Sequence, residues 1–153
     1  MRTYTERTKA LSLSFFIRLF DIEAEIATIY TMIYLQYLLQ IVAGLGIFNV
    51  WLLRFSQGTE YRGGKASSMN EEFVSYGLPP VAVYIVGFLK IVSAIGLIAG
   101  IFLPILVAPS ATLLAALMIG ALGMHLKIKD PFKKSIPALT MLTRCVAILL
   151  LAS

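Results

Sequence analysis

The chain is poor in the residues from which most catalytic and metal centres are built. It contains one cysteine, Cys145, one histidine, His125, and one tryptophan, Trp51. A single cysteine excludes an intrachain disulfide, a CxxC redox pair and a cysteine-rich metal site, and it lies in an apolar run, as a small core residue would. A lone histidine without further His or acidic residues at ligand spacing excludes a metal centre, so no metal site is expected. Charge is scarce as well, at 14% of residues, and none of the eight Asp and Glu falls in a run that could span a bilayer. That lack of an intramembrane carboxylate, together with the lack of an evident inverted repeat, counts against a proton-coupled carrier. Gly63-Gly64-Lys65 has neither the GxxxxGK[ST] spacing nor the preceding strand of a phosphate loop.

Apolar sequence is what remains. Of 153 residues, 59% are hydrophobic, and the mean hydropathy is +0.86. A chain this short cannot hide such an excess in one soluble core. The composition therefore predicts an integral membrane protein. The net charge of +5 does not point to nucleic acid, because the basic residues cluster beside apolar spans, where they set topology and touch anionic lipid.

The pattern predicts an all-α fold, a four-transmembrane-helix bundle with an N-terminal amphipathic interfacial helix. Residues 1–25 form that segment: Arg2, Arg7, Lys9 and Arg18 alternate with apolar residues, and Asp21, Glu23 and Glu25 follow. A cleaved signal peptide would need a longer uncharged core and a small-x-small site after it. Residues 26–153 form the membrane domain, with spans at about 26–53, 81–101, 105–126 and 136–152. The last of these, at roughly 17 residues, is at the lower limit for crossing. Asn70 before Glu71 and Glu72 reads as a helix start within the long polar loop, and Pro109 is a candidate kink in the third span. Ala115, Ala116, Gly120, Ala121 and Gly123 predict a tightly packed, central third helix. Four spans put the 54–76 and 127–135 loops on one side. Seven Lys and Arg residues lie there against four on the N-terminal side, so the positive-inside rule makes these loops cytoplasmic.

Two cations stand inside the apolar runs. Lys90 is about 15 Å along its span from Pro80, close to the midplane of a ~30 Å hydrocarbon core, and Arg144 is in the middle of the last span. A charge at that depth costs at least ~2.5–3.5 kcal/mol and usually faces the bundle interior or a partner's carboxylate. Lys90 is accordingly expected to face the bundle, and Arg144, with five fixed donors, suits an oxyanion. Tyr34, Tyr37 and Gln40 in the first span supply further intramembrane polarity. Interfacial anchoring and interhelical hydrogen bonds account for them most simply, and a lining for a quinone or lipid headgroup is the sharper alternative. For His125, at the end of the third span, interface hydrogen bonding is the simple role and a proton relay the sharper one.

The segments Val42-Ala43-Gly44-Leu45-Gly46, Tyr76-Gly77-Leu78-Pro79-Pro80, Val86-Gly87-Phe88-Leu89-Lys90 and Gly120-Ala121-Leu122-Gly123-Met124-His125-Leu126 resemble, in order and spacing, the DoxX-like membrane proteins. The resemblance runs from about Leu38 to Ala147; residues 1–30 match nothing in the pattern. It implies a compact four-helix bundle in a bacterial inner membrane. Some relatives are similar to subunits of a thiosulfate:quinone oxidoreductase, and more distant ones act as assembly or trafficking factors. Many relatives carry Glu where this chain has Lys90, so an acid-dependent mechanism does not carry over. His125 matches a common His and brings no catalytic role with it. Two functions follow as expectations. The first is an accessory or assembly subunit, not an enzyme on its own, that packs against a larger membrane complex and membrane lipids. The second is a subunit of a quinone-linked oxidoreductase, with Tyr34, Tyr37, Gln40, Lys90 and Arg144 lining a quinone pocket. No cofactor is intrinsic to the chain, which has no haem-ligand pair or flavin fingerprint for carrying electrons alone.

Overall fold

A computed structural model describes the backbone of residues 2–152 and the side chains of residues 18–152. It is helical, with no strand among the described residues. The helices are α1 (Arg2–Phe48), α2 (Met69–Ser75), α3 (Pro80–Ala99), α4 (Val107–Lys127) and α5 (Phe132–Ala152). Four segments are long and apolar enough to cross a membrane: Arg18–Leu53, Pro80–Ala99, Pro104–Lys127 and Phe132–Ala152. The protein is an all-helical integral membrane protein with four spanning helices.

Two compact units divide the chain at Leu35 and Gln36. The N-terminal unit is helical and carries exposed Leu19, Phe20, Ile22, Ile26, Ile29 and Tyr30, with Thr28 and Thr31 bonded back to the carbonyls of Ala24 and Ala27. The amphipathic pattern expected of residues 1–25 rests largely on the side chains of residues 1–17, which lie outside the described ones.

The second unit is the bundle. The connections Gly100–Leu106 and Ile128–Pro131 are short, so α3, α4 and α5 run antiparallel in turn. α4 packs against both neighbours, the central place its small residues predict. The end of α1 closes on the same core. A side chain at Gly44 would press on Ile98 and the Ala94 carbonyl, and one at Gly46 would touch Met141. Ala43, Ala94, Leu97, Ala111, Leu114, Cys145 and Ile148 are fully buried in this core. Close approach at the α3–α4 hairpin follows from Gly96 and Gly100, whose added Cβ atoms would collide with Ser110 and Val107.

Several local expectations are revised. The α5 helix begins at Phe132, a turn before the expected 136, and its 21 residues span about 31 Å, enough to cross without thinning the bilayer. Pro109 sits in the first turn of α4, where backbone N–H groups have no helical partner in any case, so no kink arises from it. The start of α2 is capped by Ser68, not Asn70: its Oγ accepts from the Glu71 amide at 3.3 Å. The Glu71 carboxylate reaches back to the amide and hydroxyl of Ser67, both at 2.7 Å, a variant of the capping box. At the end of α1 the helix widens into a π turn over Asn49–Leu53, a distortion frequent at functional sites.

That π turn carries Trp51, which is buried and packs against Gly87 of α3. A Cβ at Gly87 would fall 2.6 Å from Trp51 Cζ3, so only glycine lets the indole lie there. Gly87→Ala is expected to cost about 1–3 kcal/mol through overpacking and to lower the thermal midpoint. Because Trp51 is the one tryptophan, its emission reports the displacement directly; an unshifted spectrum and midpoint would contradict this packing.

Candidate functional site

The loop between α1 and α2 folds around Arg62. Its guanidinium is buried and donates to the carbonyls of Arg54 (2.6 Å), Gln57 (3.1 Å) and Phe55 (3.3 Å), and to Glu72 Oε2 at 3.0 Å. Glu72, on α2, is buried as well, and its other oxygen accepts from the Gly63 amide and from the Tyr76 hydroxyl, each at 2.8 Å. Gly63 is required at this point, since a Cβ there would lie 2.5 Å from the Tyr76 hydroxyl oxygen. Burial, followed by the neighbouring Glu72 carboxylate, pushes the Tyr76 phenol up, which keeps its proton in place for donation.

Tyr76 leads on to α4. Its hydroxyl oxygen lies 3.3 and 3.4 Å from the two ring nitrogens of His125, too even an approach for one directed hydrogen bond, and the rings meet edge to face at 5.7 Å. His125 Nδ1 donates to Asp130 Oδ2 at 2.8 Å. The local fold makes that contact. Lys129 adopts a left-handed φ of 58°, and the amides of Lys129 and Asp130 return to the carbonyls of Leu126 and His125. This is a Schellman cap that swings Asp130 back over the last turn. Asp130 also accepts from the Gly64 amide at 3.1 Å and pairs with Lys134 at 3.4 Å. Lys134 donates to the Gly64 carbonyl, and Lys127 donates to the Tyr76 carbonyl at 2.8 Å. Loop, α2, α4 and α5 are thereby joined by one polar network.

Below this network lies a cavity of about 710 Å³, within the ~300–1,000 Å³ of small-molecule pockets. Apolar residues such as Val86, Leu117, Met118 and Met141 form most of its wall, and Arg62, Glu72, Tyr76 and His125 form part of it too. Lys90 and Arg144 both open onto it. The Lys90 ammonium sits 5.0 Å from the centroid of the Trp51 ring, and Arg144 has no hydrogen-bond or ion-pair partner among the described residues. The small residues of α4 are divided in their use. Ala111 is packed in the core, whereas Ala116, Gly120 and Ala121 line the cavity, and added Cβ atoms at Gly120 and Gly123 would meet nothing within 4 Å. That side of the helix makes space instead of close contact.

A model of the DoxX-like family matches residues 61–148, more than half of the chain. This protein belongs to the DoxX-like family. The matched stretch begins in the Arg62 loop and ends in α5, so it holds nearly all of the network and the deep part of the cavity, while Val42–Gly46 lies outside it. No curated protein and no solved structure matches the chain.

Of the residues singled out from sequence, Lys90, Arg144 and His125 share the cavity wall of this DoxX-like bundle. Gln40 is fully buried, away from that wall, and its amide nitrogen and oxygen have no partner among the described residues. Tyr37 is half-buried and does not line the cavity; Tyr34 belongs to the N-terminal unit and is exposed. Arg62, Glu72, Tyr76, Asp130 and Trp51 were not singled out. Their places in loops, in the short α2 and in the π turn, and partners up to 66 residues apart, leave no periodic trace.

Asp130 ties the network to pH. Burial by itself would raise its carboxyl, but hydrogen bonds from His125, the Gly64 amide and Lys134 outweigh it and hold the group below its ordinary 3.8. The stabilisation is therefore complete above that value and is lost as pH falls through it toward the folded-state pKa. Asp130→Asn is expected to melt at lower temperature than wild type at pH 7, with the gap closing below pH ~4; a gap independent of pH would refute the assignment.

Proposed function

We propose that this DoxX-like protein is an accessory subunit of a larger membrane complex, and that it serves that complex by holding a membrane-soluble small molecule in the cavity of its bundle. The observation that carries this reading is the cavity itself: an apolar chamber of ligand size whose wall holds Lys90 and Arg144, two cations inside spans with no ion-pair partner among the described residues. Intramembrane charges of this kind mark ligand or ion sites by default. A quinone is the second reading, favoured by the Lys90 ammonium and the Arg144 guanidinium at the cavity wall, whose uncommitted N–H donors suit a carbonyl oxygen. In that case the electrons come from a partner, and this chain contributes the pocket. The inner bacterial membrane, with the polar network on the cytoplasmic side, is the location that fits the charge bias of the loops.

The reading is tested by native mass spectrometry of the protein released gently from its own membranes. The expected result is a stoichiometric larger complex that retains a small molecule. Gly120→Leu fills the cavity at a point where the added side chain has room and gains helix propensity of up to ~1 kcal/mol. It is expected to keep the thermal midpoint and lose the small molecule; an occupied Gly120→Leu protein would sink the proposal. In the same assay Lys90→Leu is expected to disturb complex or ligand far more than Lys133→Leu, because Lys133 forms only an exposed pair with Glu60 at 2.6 Å, worth ~0–1 kcal/mol. Equal effects would remove Lys90 from the site.

A further inference from the structure

The charge balance of the cavity wall identifies the kind of molecule it takes. Both carboxylates near the cavity are fully committed. Glu72 spends one oxygen on Arg62 and the other on the Gly63 amide and the Tyr76 hydroxyl. Asp130 is occupied by His125, Gly64 and Lys134. Arg62 and Lys134 are thus neutralised within the chain, and Arg54, also on the wall, is exposed, whereas Lys90 and Arg144, inside the spans, have no hydrogen-bonded or ion-paired carboxylate among the described residues, Glu72 acting on Lys90 only from a distance. The Trp51 face under Lys90 supplies ~0.5–2 kcal/mol, less than the ~2.5–3.5 kcal/mol that a central charge costs on insertion. Arg144 lacks even that.

Depth narrows the choice. α3 and α5 start on the same side, each joined to α4 by a short turn. Lys90 is ten residues into α3 and Arg144 twelve into α5, which places them about 15 and 18 Å along their helices. Each cation is therefore near the middle of its spanning helix, beneath a network that is already charge-balanced. A free inorganic anion would lose its hydration among Val86, Leu117 and Met141 without an apolar body to offset the loss. A neutral ligand would leave two half-buried intramembrane cations unanswered.

Resting on the cavity-binding reading above, we propose that the ligand is an amphiphile with an oxyanion head, a carboxylate or a phosphate monoester, held by Lys90 and Arg144 with its apolar tail in the remaining cavity. Arg144 offers the planar fork that matches such a head, and Lys90 a compact second charge.

The test compares three radiolabelled probes on protein in nanodiscs of zwitterionic lipid: oleate, lysophosphatidate and methyl oleate. Saturable binding of an anionic probe, about tenfold or more tighter than that of the ester, is expected. Preference for oleate identifies a carboxylate head and preference for lysophosphatidate a lipid phosphate. Lys90→Met and Arg144→Met should each abolish the preference for the anion, with Lys133→Met unchanged, while Lys90→Arg preserves both fold and preference. Methyl oleate binding as tightly as the anionic probes overturns the oxyanion head and leaves the cavity reading standing. No saturable binding of any probe overturns both. An undiminished anion preference in folded Lys90→Met and Arg144→Met proteins overturns the assignment of the head to these two residues.

Discussion

The ion pair between Arg62 and Glu72 organises everything above the cavity. A buried pair is weakly stabilising in net terms, because desolvation offsets much of the attraction. Its influence here is geometric. Arg62 takes three loop carbonyls together with the carboxylate, so a segment without regular structure gains one conformation. Glu72, fixed in turn, orients Tyr76, and Tyr76 brings α2 against His125 on α4. Removing either charge from such a pair typically costs ~3–5 kcal/mol, mostly from the charge left behind.

Polar groups in the bundle divide into two populations with opposite energetics. Near the loop ends, nearly every buried donor and acceptor is answered from within the chain. Deeper, two cations on the wall of an apolar chamber have no ion-pair partner among the described residues, one resting on the Trp51 face. The protein does have the means to answer a buried cation, as Arg62 shows. The unanswered pair is a local property of the cavity. It coexists with Gln40, whose fully buried amide is likewise unpartnered among the described residues.

The spanning helices were legible from sequence because long apolar runs, Pro80 at a helix start and the turn around Gly100 act locally. Lys90 and Arg144 were legible for the same reason, a charge in an apolar run being visible without knowledge of its neighbours. The network was not. Glu71 and Glu72 look alike as first-turn acids, yet one caps its own helix in the open while the other is buried beneath Arg62. Only tertiary packing separates them. The small residues of α4 misled in part, since composition shows that side chains are absent without showing whether a neighbour or a void takes their place. The Schellman turn at Lys129 was hidden because it uses lysine where glycine is the usual signal.

The chamber exists through omission: α4 withholds side chains at Ala116 and Gly120, and the helices on either side need not part to make room. Capacity is thus separated from architecture. A single substitution on that strip resizes the chamber while the core contacts of Ala111, Leu114 and Cys145 stay as they are. Related bundles can in this way diverge in the breadth of molecule they admit with no change in how they fold.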